Sequence, residues 1–476
     1  MTVAFLTLGC KLNYAETSTY ERGFKAEGLQ VVPWSAKAGI YLINTCSVTA
    51  TSDAKSRNLI RKVHRINPDA VIIVTGCSAE LRRKEIEKIE GVTRVFGCYE
   101  KQIVVSETLS LAGISPESVP KTPSANCPEQ LTPDIPSVPL RSTSSLPTSP
   151  ASSPCDNLYP SGPSLLRVRG WTRVARGDCS GQFADGVFAA YSTGERTRSF
   201  LKVQDGCNNF CKYCTVPFAR GRSRNVPICE CVKMAEAIAA DGVKEIVLTG
   251  VNTGDFGRTT GESFLDLLKA LNGVQGIERY RISSIEPNLL TEETIDWIAS
   301  GTKFQPHFHI PLQTGCDSQL ERMGRHYDTA FFAAKLEYIR KAMEGPGKPK
   351  VFFGIDVMVG LPGETEERFL QTKAFIESVR PAFIHVFPYS RRPGTPADRM
   401  PDQVSEETKK QRVAALEELC ARLSAEFREA NKGIAERVLF ESTNRKGTME
   451  GYTGNYIRVE HAYDPGLVNK LVDIIL

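Results

Sequence analysis

The chain has 476 residues and a formal net charge of +4, and 41% of its residues are hydrophobic, as in ordinary globular proteins. This length allows roughly two to four domains, and the mild positive charge permits nucleic-acid binding without requiring it. No apolar run is long enough to cross a bilayer and no signal peptide is evident, so we expect a cytoplasmic protein without membrane contact. In such a chain the 14 cysteines favour metal ligation or redox chemistry over disulfides.

The first segment, residues 1–114, alternates apolar strands with helical patterns, which predicts βαβ units in a parallel sheet. The predicted strands are Val3–Leu8, Ile40–Ile43, Val71–Val74 and Val92–Phe96. Each is followed closely by a cysteine, namely Cys10, Cys46, Cys77 and Cys98. Because the carboxyl ends of parallel strands share one edge of a sheet, we expect these cysteines to converge there. Buried free thiols at strand ends are the alternative interpretation.

A segment of different composition follows. Residues 115–164 contain 12 prolines and 12 serines, a composition that cannot bury enough apolar surface to offset chain entropy. We interpret residues 115–195 as an insert and linker, and the two cysteines within it, Cys127 and Cys155, receive no role.

The central segment, residues 196–431, predicts a partial barrel. Six apolar strands alternate with helices, whereas a closed (β/α) barrel has eight such units in roughly 250 residues. The predicted strands are Phe200–Val203, Glu245–Leu248, Tyr280–Ile285, His307–Pro311, Val351–Val359 and Phe383–Tyr389. A long amphipathic helix, from Ser405 to Asn431, follows the last strand.

The tail, residues 432–476, predicts a small β-barrel. Its expected strands are Glu436–Phe440, Tyr456–Val459 and Lys470–Ile475. Lysines and arginines are interleaved with Tyr452 and Tyr456, a combination that tracks nucleic-acid backbones and stacks on bases. A solvated small β-domain explains the same composition equally well.

Three cysteines directly after the first barrel strand carry the strongest chemical signal. Cys207, Cys211 and Cys214 have the spacing C-x3-C-x2-C. Three thiolates leave one iron of a 4Fe–4S cluster open, and that iron can chelate S-adenosylmethionine for reductive cleavage to a 5′-deoxyadenosyl radical. Tyr213, before the last cysteine, fits a position near the adenine. The alternative is a structural zinc site completed by Cys229 and Cys231, but their C-x-C spacing on a predicted helix argues against it.

Other polar residues and glycines stand where the barrel strands end, which is where barrel enzymes place their chemistry. Glycines there let a cofactor approach the backbone, and hydroxyls and carboxylates can bind ribose. The candidate cofactor-binding positions are Thr249, Gly250, Asn252, Ser283, Ser284, Glu286, Gln313, Gly354 and Gly360.

Three blocks of sequence together resemble the methylthiotransferases, radical S-adenosylmethionine enzymes that place a CH3–S group on an unactivated carbon. The N-terminal block contains Leu-Gly-Cys10-Lys-Leu-Asn, Asn44-Thr-Cys46-Ser-Val-Thr and Thr75-Gly-Cys77. The central block contains the cysteine trio with Pro311-Leu-Gln-Thr-Gly-Cys316-Asp and Tyr389-Ser-Arg-Arg-Pro-Gly-Thr-Pro-Ala397. The tail is similar to a TRAM domain, a tRNA-binding β-barrel.

This resemblance implies a second, auxiliary 4Fe–4S cluster on Cys10, Cys46 and Cys77, again with an open iron that can carry sulfur. Cys98 is not associated with that pattern, and we expect it not to be a ligand, because a fourth thiolate would close the free iron. The implied mechanism uses two S-adenosylmethionine molecules. One donates methyl to sulfur on the auxiliary cluster, and the other yields the radical that removes hydrogen from position 2 of an adenine.

The resemblance also implies a substrate. The segments around Cys10 and Cys46 look most like the group that acts on N6-threonylcarbamoyladenosine in the anticodon loop of tRNA, at position 37. Isopentenyl-adenosine in tRNA and an aspartate of a ribosomal protein are the alternatives within the family. A non-catalytic iron–sulfur RNA-binding protein is the alternative outside it.

Several basic residues are expected to contact the tRNA, and they are Lys55, Arg57, Arg222, Arg391 and Arg392. Arg391 stands where the family pattern has proline, so its guanidinium is a further candidate for a carboxylate or phosphate. A flavodoxin or ferredoxin is the expected electron donor, and we expect a monomer. The sequence thus predicts an α/β protein in three parts, a parallel-sheet domain, a partial (β/α)6 barrel and a small β-barrel.

Overall fold

The structure, a computed structural model, describes residues 1–47, 49–114, 187–193 and 197–476. The Pro/Ser-rich part of the predicted insert, with Cys127 and Cys155, lies outside the described residues, so its linker role stays a prediction. The described residues belong to one unit, in which three parts contact one another. None of the described helices has the length and apolar character needed to span a membrane.

The N-terminal part is a five-stranded parallel sheet in the order β2-β1-β3-β4-β5, which confirms the predicted parallel sheet and adds β2 to its four predicted strands. Its strands are β1 (Thr2–Thr7), β2 (Gln30–Val31), β3 (Ile40–Thr45), β4 (Val71–Gly76) and β5 (Val92–Val95). Its helices are α1 (Lys11–Ala26), α2 (Ala50–Ile66), α3 (Cys77–Leu81), α4 (Arg83–Ile86) and α5 (Val104–Leu111). The central strand β3 is buried along its whole length because helices cover both faces of the sheet.

The central part confirms the partial barrel. Its strands are β6 (Ala190–Tyr191), β7 (Arg198–Lys202), β8 (Gln204–Asp205), β9 (Arg224–Asn225), β10 (Glu245–Thr249), β11 (Arg279–Ile282), β12 (His307–His309), β13 (Phe352–Val359) and β14 (Phe383–Pro388). Six parallel strands form two runs, β7-β10-β11 and β12-β13-β14. The backbone of Ile285 donates to the carbonyl of His309 at 3.1 Å and links the two runs.

Helices cover the outside of this barrel. They are α6 (Val216–Arg220), α7 (Ile228–Ala240), α8 (Phe264–Asn272), α9 (Glu292–Ala299), α10 (Asp317–Met323), α11 (Thr329–Met343), α12 (Glu366–Val379), α13 (Pro396–Arg399) and α14 (Glu406–Glu429). Ile246 and Leu248 of β10 belong to the core beneath these helices. Because side chains alternate along a strand, Glu245 and Thr249 face the opposite side, which is the lumen of the barrel.

The C-terminal part is a four-stranded antiparallel sheet in the order β17-β16-β15-β18. The strands are β15 (Ala435–Phe440), β16 (Thr448–Tyr452), β17 (Arg458–Ala462) and β18 (Leu471–Ile475). The predicted strand from Tyr456 to Val459 is wrong at its start, since Tyr456 has a turn conformation with φ 66°, and β16 was not predicted. The sheet covers the amino ends of the barrel strands, where Arg281 donates to the carbonyls of Thr453 and Gly454, both at 2.7 Å.

Candidate active site

Cys10, Cys46 and Cys77 lie at the carboxyl edge of the N-terminal sheet, as the strand pattern predicts. Cys10 is exposed, Cys46 is buried and Cys77 is half-buried. Cys10 is surrounded by protein charges and its thiol pKa is raised by burial, yet its side chain remains accessible to water. This combination is typical of a solvent-filled cavity and not of a packed core.

Two glycines make this convergence possible. Gly9 and Gly76 precede Cys10 and Cys77 with φ of 101° and 99°, in the left-handed region that side chains disfavour. A Cβ on Gly9 would lie 2.6 Å from Cβ of Cys46, and one on Gly76 would overlap the carbonyl oxygen of Thr45. The backbone therefore passes close enough to bring the cysteine-bearing turns together.

Cys98 is buried against Cys77. A hydrogen bond with the Cys98 thiol lowers the pKa of Cys77 to about 6, and the pKa of Cys98 is raised well above its usual value by the same bond and by burial. The backbone N–H of Cys98 donates to Glu80 at 2.9 Å. In this arrangement Cys98 serves as a donor to Cys77, and the expectation that it is not a cluster ligand stays a prediction.

Arg220 joins the barrel to this cysteine edge. It ends α6, just after the cysteine trio, and only 2% of its surface is exposed. Its Nε donates to Sγ of Cys77 at 3.1 Å, and its Nη2 donates to Oδ1 of Asn13 at 2.6 Å. Its Nη1 donates to Asp205 at 2.9 Å.

A buried group of charges surrounds Arg220. Glu16 accepts from Lys101 at 2.6 Å, from Lys202 at 2.7 Å and from Arg220 at 3.1 Å. Burial raises the pKa of Glu16, but Arg220 and the two lysines together lower it by more than burial raises it. The pKa of Glu16 therefore falls below its usual range. The same cations hold the pKa of Asp205 well below normal against the cost of burial. Arg224 also pairs with Asp205 at 3.8 Å, so four cations and two carboxylates leave a net positive charge near Cys77.

Cys207, Cys211 and Cys214 lie in the loop between β8 and α6, and each sulfur has a donor. The backbone N–H of Asn209 reaches Sγ of Cys207 at 3.5 Å, and that of Val216 reaches Sγ of Cys214 at 3.4 Å. Burial raises the pKa of Cys207 to about 11 and that of Cys214 to about 12. These thiols therefore ionise when a metal supplies the compensating charge, which is how iron–sulfur and zinc sites form.

The three sulfurs of this loop are not placed as ligands of a single ion. Within the described ranges, only one group of His, Cys, Asp or Glu ligand atoms lies within 4.8 Å of one another, and it contains no cysteine. Thiolates that hold different irons stand further apart than ligands of one ion. Cys231, from the zinc alternative, is buried in the helix core and faces the carbonyl of Val226 at 3.7 Å.

Arg325 is a second functional candidate that the sequence analysis missed. It follows α10, and its Nη1 donates to Sγ of Cys211 at 3.1 Å and to the hydroxyl of Tyr213 at 3.4 Å. Its Nη2 is paired with Glu286, which was predicted to bind ribose. Its location was not apparent from sequence because 111 residues separate it from Tyr213.

The predicted cofactor positions on β10 and β11 form one polar surface. Oε1 of Gln204 accepts from the backbones of Val251 and Asn252 at 2.9 and 3.0 Å and so shapes the turn after β10. Nδ2 of Asn252 and Oγ of Ser283 are buried without a hydrogen-bond partner in the described part of the chain. Buried polar atoms are normally satisfied, so these two fit a polar ligand such as S-adenosylmethionine.

The remaining predicted cofactor positions differ in their surroundings. Thr249 is buried, and Gly250 passes Gln204 so closely that a Cβ would lie 2.9 Å from its Oε1. The carbonyl of Ser284 accepts from Thr253, and Gln313 has a φ of 71°. Gly354 faces Phe352 in the lumen, whereas a Cβ on Gly360 would overlap Lys409, so that glycine serves helix packing.

The predicted RNA-contacting residues do not form one surface of free charges. Arg392 is buried and its Nη1 donates to Asp53 at 3.0 Å, so it joins the barrel to α2. Arg391 is exposed and paired with Asp398 at 3.0 Å. Lys55 is exposed and Arg57 half-buried on α2, and Arg222 is exposed with its guanidinium 6.0 Å from the ring of Phe210.

The lumen also contains residues that the sequence analysis did not single out. His309, Asp356 and His385, on β12, β13 and β14, form the group of ligand atoms within 4.8 Å. Lys11, at the start of α1, interacts electrostatically with Asp356 and with Arg198 and Arg281. Burial and the two arginines lower its pKa although its side chain is exposed, so α1 begins at the lumen cavity.

Two protein-family descriptions match the chain. That of Uncharacterized protein family UPF0004 matches residues 2–97, which include Cys10, Cys46 and Cys77. That of the Radical SAM superfamily matches residues 201–376, which include the cysteine trio and Arg325.

Curated relatives match over nearly the full length. The threonylcarbamoyladenosine tRNA methylthiotransferase MtaB of Bacillus subtilis is 36% identical over 99% of this chain and 93% of its own. The protein of the same name from Aquifex aeolicus is 32% identical over 100% of both chains. The tRNA-2-methylthio-N(6)-dimethylallyladenosine synthase of Carboxydothermus hydrogenoformans is 29% identical over 98% of this chain and 95% of its own.

Among solved structures, the radical S-adenosylmethionine methyltransferase TsrM from Kitasatospora setae shares the fold. The TM-score is 0.52 at 14% identity, over 83% of this chain and 74% of that one.

Proposed function

This chain belongs to the radical S-adenosylmethionine tRNA methylthiotransferases, and we propose that it methylthiolates position 2 of N6-threonylcarbamoyladenosine at position 37 of tRNA. The proposal includes two S-adenosylmethionine molecules and two 4Fe–4S clusters, on Cys207, Cys211 and Cys214 and on Cys10, Cys46 and Cys77. Support for the substrate comes from the relatives named for it, which are 30–36% identical, against 29% for the dimethylallyladenosine synthase.

One observation carries the two-cluster proposal. Cys10 is accessible to water although protein surrounds it, and the residue after it, Lys11, reaches the charges of the barrel lumen. The cysteine trio stands at the carboxyl end of β7, at the rim of the same barrel. When bound, the clusters would supply reductive cleavage of S-adenosylmethionine at one end and a sulfur atom at the other. A nucleobase in the lumen would then lie between the two.

The protein's own residues prepare this chemistry by binding and orientation. Asn252 and Ser283 offer unpaired buried polar atoms to S-adenosylmethionine. Arg325 holds Cys211 and Glu286 together, and Arg220 holds Cys77 against the barrel. The aromatic C–H at position 2 is not acidic enough for a side-chain base to remove its proton. The hydrogen is instead removed by a radical, so we assign no general base.

The RNA partner would be held by exposed basic residues and by the tail. The target base must leave the anticodon-loop stack to enter the lumen, and unpaired loops are where RNA sequence is mostly read. Lys55 and Arg222 are exposed for backbone contact, and we assign the C-terminal sheet the role of a TRAM-like tRNA-binding domain. We further propose that a flavodoxin or ferredoxin supplies electrons and that the enzyme acts as a monomer in the cytoplasm, where its tRNA is found.

The test is anaerobic reconstitution with iron and sulfide, followed by reaction with S-adenosylmethionine, dithionite and tRNA from cells lacking this gene. The digested nucleosides are then weighed. We expect a methylthio gain on N6-threonylcarbamoyladenosine. Cys77→Ala should lose this product but still release 5′-deoxyadenosine, whereas Cys214→Ala should lose both. Cys229→Ala, an exposed cysteine on α7, is the matched control and should retain both.

The outcomes separate the alternatives. A gain on isopentenyl-adenosine would keep the chemistry and replace the substrate, and a gain on ribosomal protein would remove tRNA from the proposal. No 5′-deoxyadenosine from a fully reconstituted protein would contradict the enzyme assignment and leave an iron–sulfur RNA-binding protein.

A further inference from the structure

A group of polar side chains lies in the barrel lumen and contains none of the six cysteines of the two trios. It consists of Lys11 at the start of α1 and of His309, Asp356 and His385 on three adjacent strands, and we call it the lumen polar group. Asp356 on β13 lies opposite His385 on β14. His309 on β12 lies opposite Gly354, which is two residues before Asp356 on β13. All three therefore project from the same face of the sheet.

The contacts within this group are defined. Nε2 of His309 and Oδ1 of Asp356 are 2.8 Å apart, which is a hydrogen bond. The rings of His309 and His385 are stacked, with centroids 5.1 Å apart and planes 22° apart. His385 is exposed to the lumen, while His309 and Asp356 are half-buried.

Lys11 differs from the other charged residues around the lumen because its ammonium has no hydrogen-bond or ion-pair partner among the described residues. By contrast, Arg198 is paired with Glu441, Arg281 with Glu245 at 2.8 Å, and Lys202 with Glu16 at 2.7 Å. Lys11 nevertheless lies close enough to Asp356 and His385 for electrostatic interaction. One cation thus remains available to a ligand at this level of the lumen.

A metal ion is the first ligand to consider, because two histidines and a carboxylate form a known metal-binding set. Two observations oppose it. Stacked imidazole rings direct their in-plane nitrogen lone pairs side by side, so that they do not converge on one point. The ammonium of Lys11 also interacts electrostatically with the group and would repel a divalent cation, whereas it would attract an anion.

The group instead matches a ligand that is anionic and also carries hydroxyl or N–H donors. An ammonium binds a carboxylate through charge-assisted hydrogen bonds, and an exposed imidazole adds another donor or a stacking face. A carboxylate such as Asp356 can accept from a hydroxyl or carbamoyl N–H. An apolar isopentenyl chain would leave these polar groups desolvated and unpaired, which costs binding free energy.

We propose that the lumen polar group binds the amino-acid end of the N6 substituent of the target adenosine, with Lys11 on its carboxylate and Asp356 accepting from its hydroxyl or carbamoyl N–H. His309 orients Asp356, and His385 closes the site. This inference rests on the proposed function and deepens it, because it assigns the residues that distinguish an N6-aminoacylcarbamoyl adenosine from an unmodified or apolar one. Lys11 is then a specificity residue that follows a proposed cluster ligand directly in sequence.

The test compares the affinity of the reconstituted, anaerobic enzyme for two forms of one tRNA, with N6-threonylcarbamoyladenosine or with unmodified adenosine at position 37. We expect the wild type to prefer the modified form. Lys11→Met should reduce this preference about tenfold, the value of one charge-assisted hydrogen bond. Lys25→Met, at the far end of the same helix and paired with Glu21 at 2.7 Å, should retain it. Lys11→Gln keeps a polar chain of similar length and replaces Lys11→Met if that variant loses iron.

Three results would overturn the inference. They are an unchanged preference in the Lys11 variants, an equal loss of affinity for both tRNAs, which would indicate a phosphate contact, and the absence of any preference in the wild type. Failure of the proposed function is recognised by a different measurement, namely which nucleoside gains the mass of a methylthio group. Methylthiolation of N6-threonylcarbamoyladenosine with an unchanged Lys11 preference would contradict the inference alone.

Discussion

Arg220 is the residue whose replacement tests most directly how the two cysteine sites are joined. Its guanidinium makes four buried contacts, to Cys77 at 3.1 Å, Glu16 at 3.1 Å, Asp205 at 2.9 Å and Asn13 at 2.6 Å. Arg220→Met keeps much of the volume but removes all four donors. Breaking a buried charge pair from one side costs about 3–5 kcal/mol, because the remaining charges stay buried with fewer partners.

The expected loss is large enough to measure. Lys101 and Lys202 still compensate Glu16, which places the cost near the lower limit, about 3 kcal/mol. In a unit of about 400 residues, whose unfolding entropy is about 0.85 kcal/mol/K, that lowers the unfolding temperature by about 4 °C. Thermal unfolding by circular dichroism measures it, with Arg222→Met as the control. Arg222 is two residues away and exposed, so its replacement should change the unfolding temperature little.

Arg220→Lys separates charge from hydrogen bonding. A lysine retains the positive charge but cannot reproduce the Nε–H donor to Cys77 together with the contacts to both carboxylates. Because hydrogen bonds to cluster sulfurs raise the reduction potential, we expect a lower potential for the auxiliary cluster. Redox titration followed by electron paramagnetic resonance, in a Cys207→Ala/Cys211→Ala/Cys214→Ala background, isolates that cluster. A wild-type potential in Arg220→Lys, or a wild-type unfolding temperature in Arg220→Met, would refute the reasoning.

Three further predictions concern single residues. Arg281, Arg198 and Arg279 hold the pKa of Glu245 below normal despite burial, so the folded state binds fewer protons than the unfolded state. Glu245→Gln should therefore be less stable than the wild type at pH 7, and the gap in unfolding temperature should narrow as pH falls below about 4.3, the unfolded pKa. Cys98→Ser should keep the iron content of the wild type, and loss of the auxiliary cluster would instead make Cys98 a ligand. Gly76→Ala should lose that cluster, because its φ is 99° and the new methyl overlaps Thr45, and normal iron content would contradict this.

The fold was predictable where local pattern and topology agree. Alternation of strands and helices was sufficient for four of the five N-terminal strands and for the six parallel barrel strands, with ends displaced by at most three residues, whereas the two-residue β2 was not predicted. The tail was predicted less well, because the buried face of β16, Thr448–Tyr452, holds only Met449 and Gly451, and the strand ends in Tyr452, whose ring lies against Arg198. Its strand character comes from pairing with β15 and β17, and not from its own sequence.

Within the candidate site, the sequence singled out only residues whose type and spacing are typical of a known chemistry. Cysteine spacing and strand-end position identified both trios, but Arg220, Arg325 and Lys11 look like ordinary surface cations in sequence. Each acquires its role from a partner on another element, such as Cys77 for Arg220, 143 residues away. Arg392 shows the reverse error, since a conspicuous motif arginine is buried in an ion pair with Asp53.

The buried charges around Arg220 are costly unless their arrangement serves a purpose, because replacing a buried ion network by apolar side chains is often neutral or stabilising. Here the network connects α1, which follows Cys10, to α6, which follows Cys214, and every member touches at least one residue from the other part. Apolar contacts tolerate sliding, whereas charge-assisted hydrogen bonds fix distance and angle. The excess of positive charge would also offset the negative charge of a Cys77 thiolate in the proposed auxiliary cluster. A polar joint at this position therefore fixes the separation of the two cysteine trios, and in the proposed function that separation decides whether a target base can lie between the two clusters.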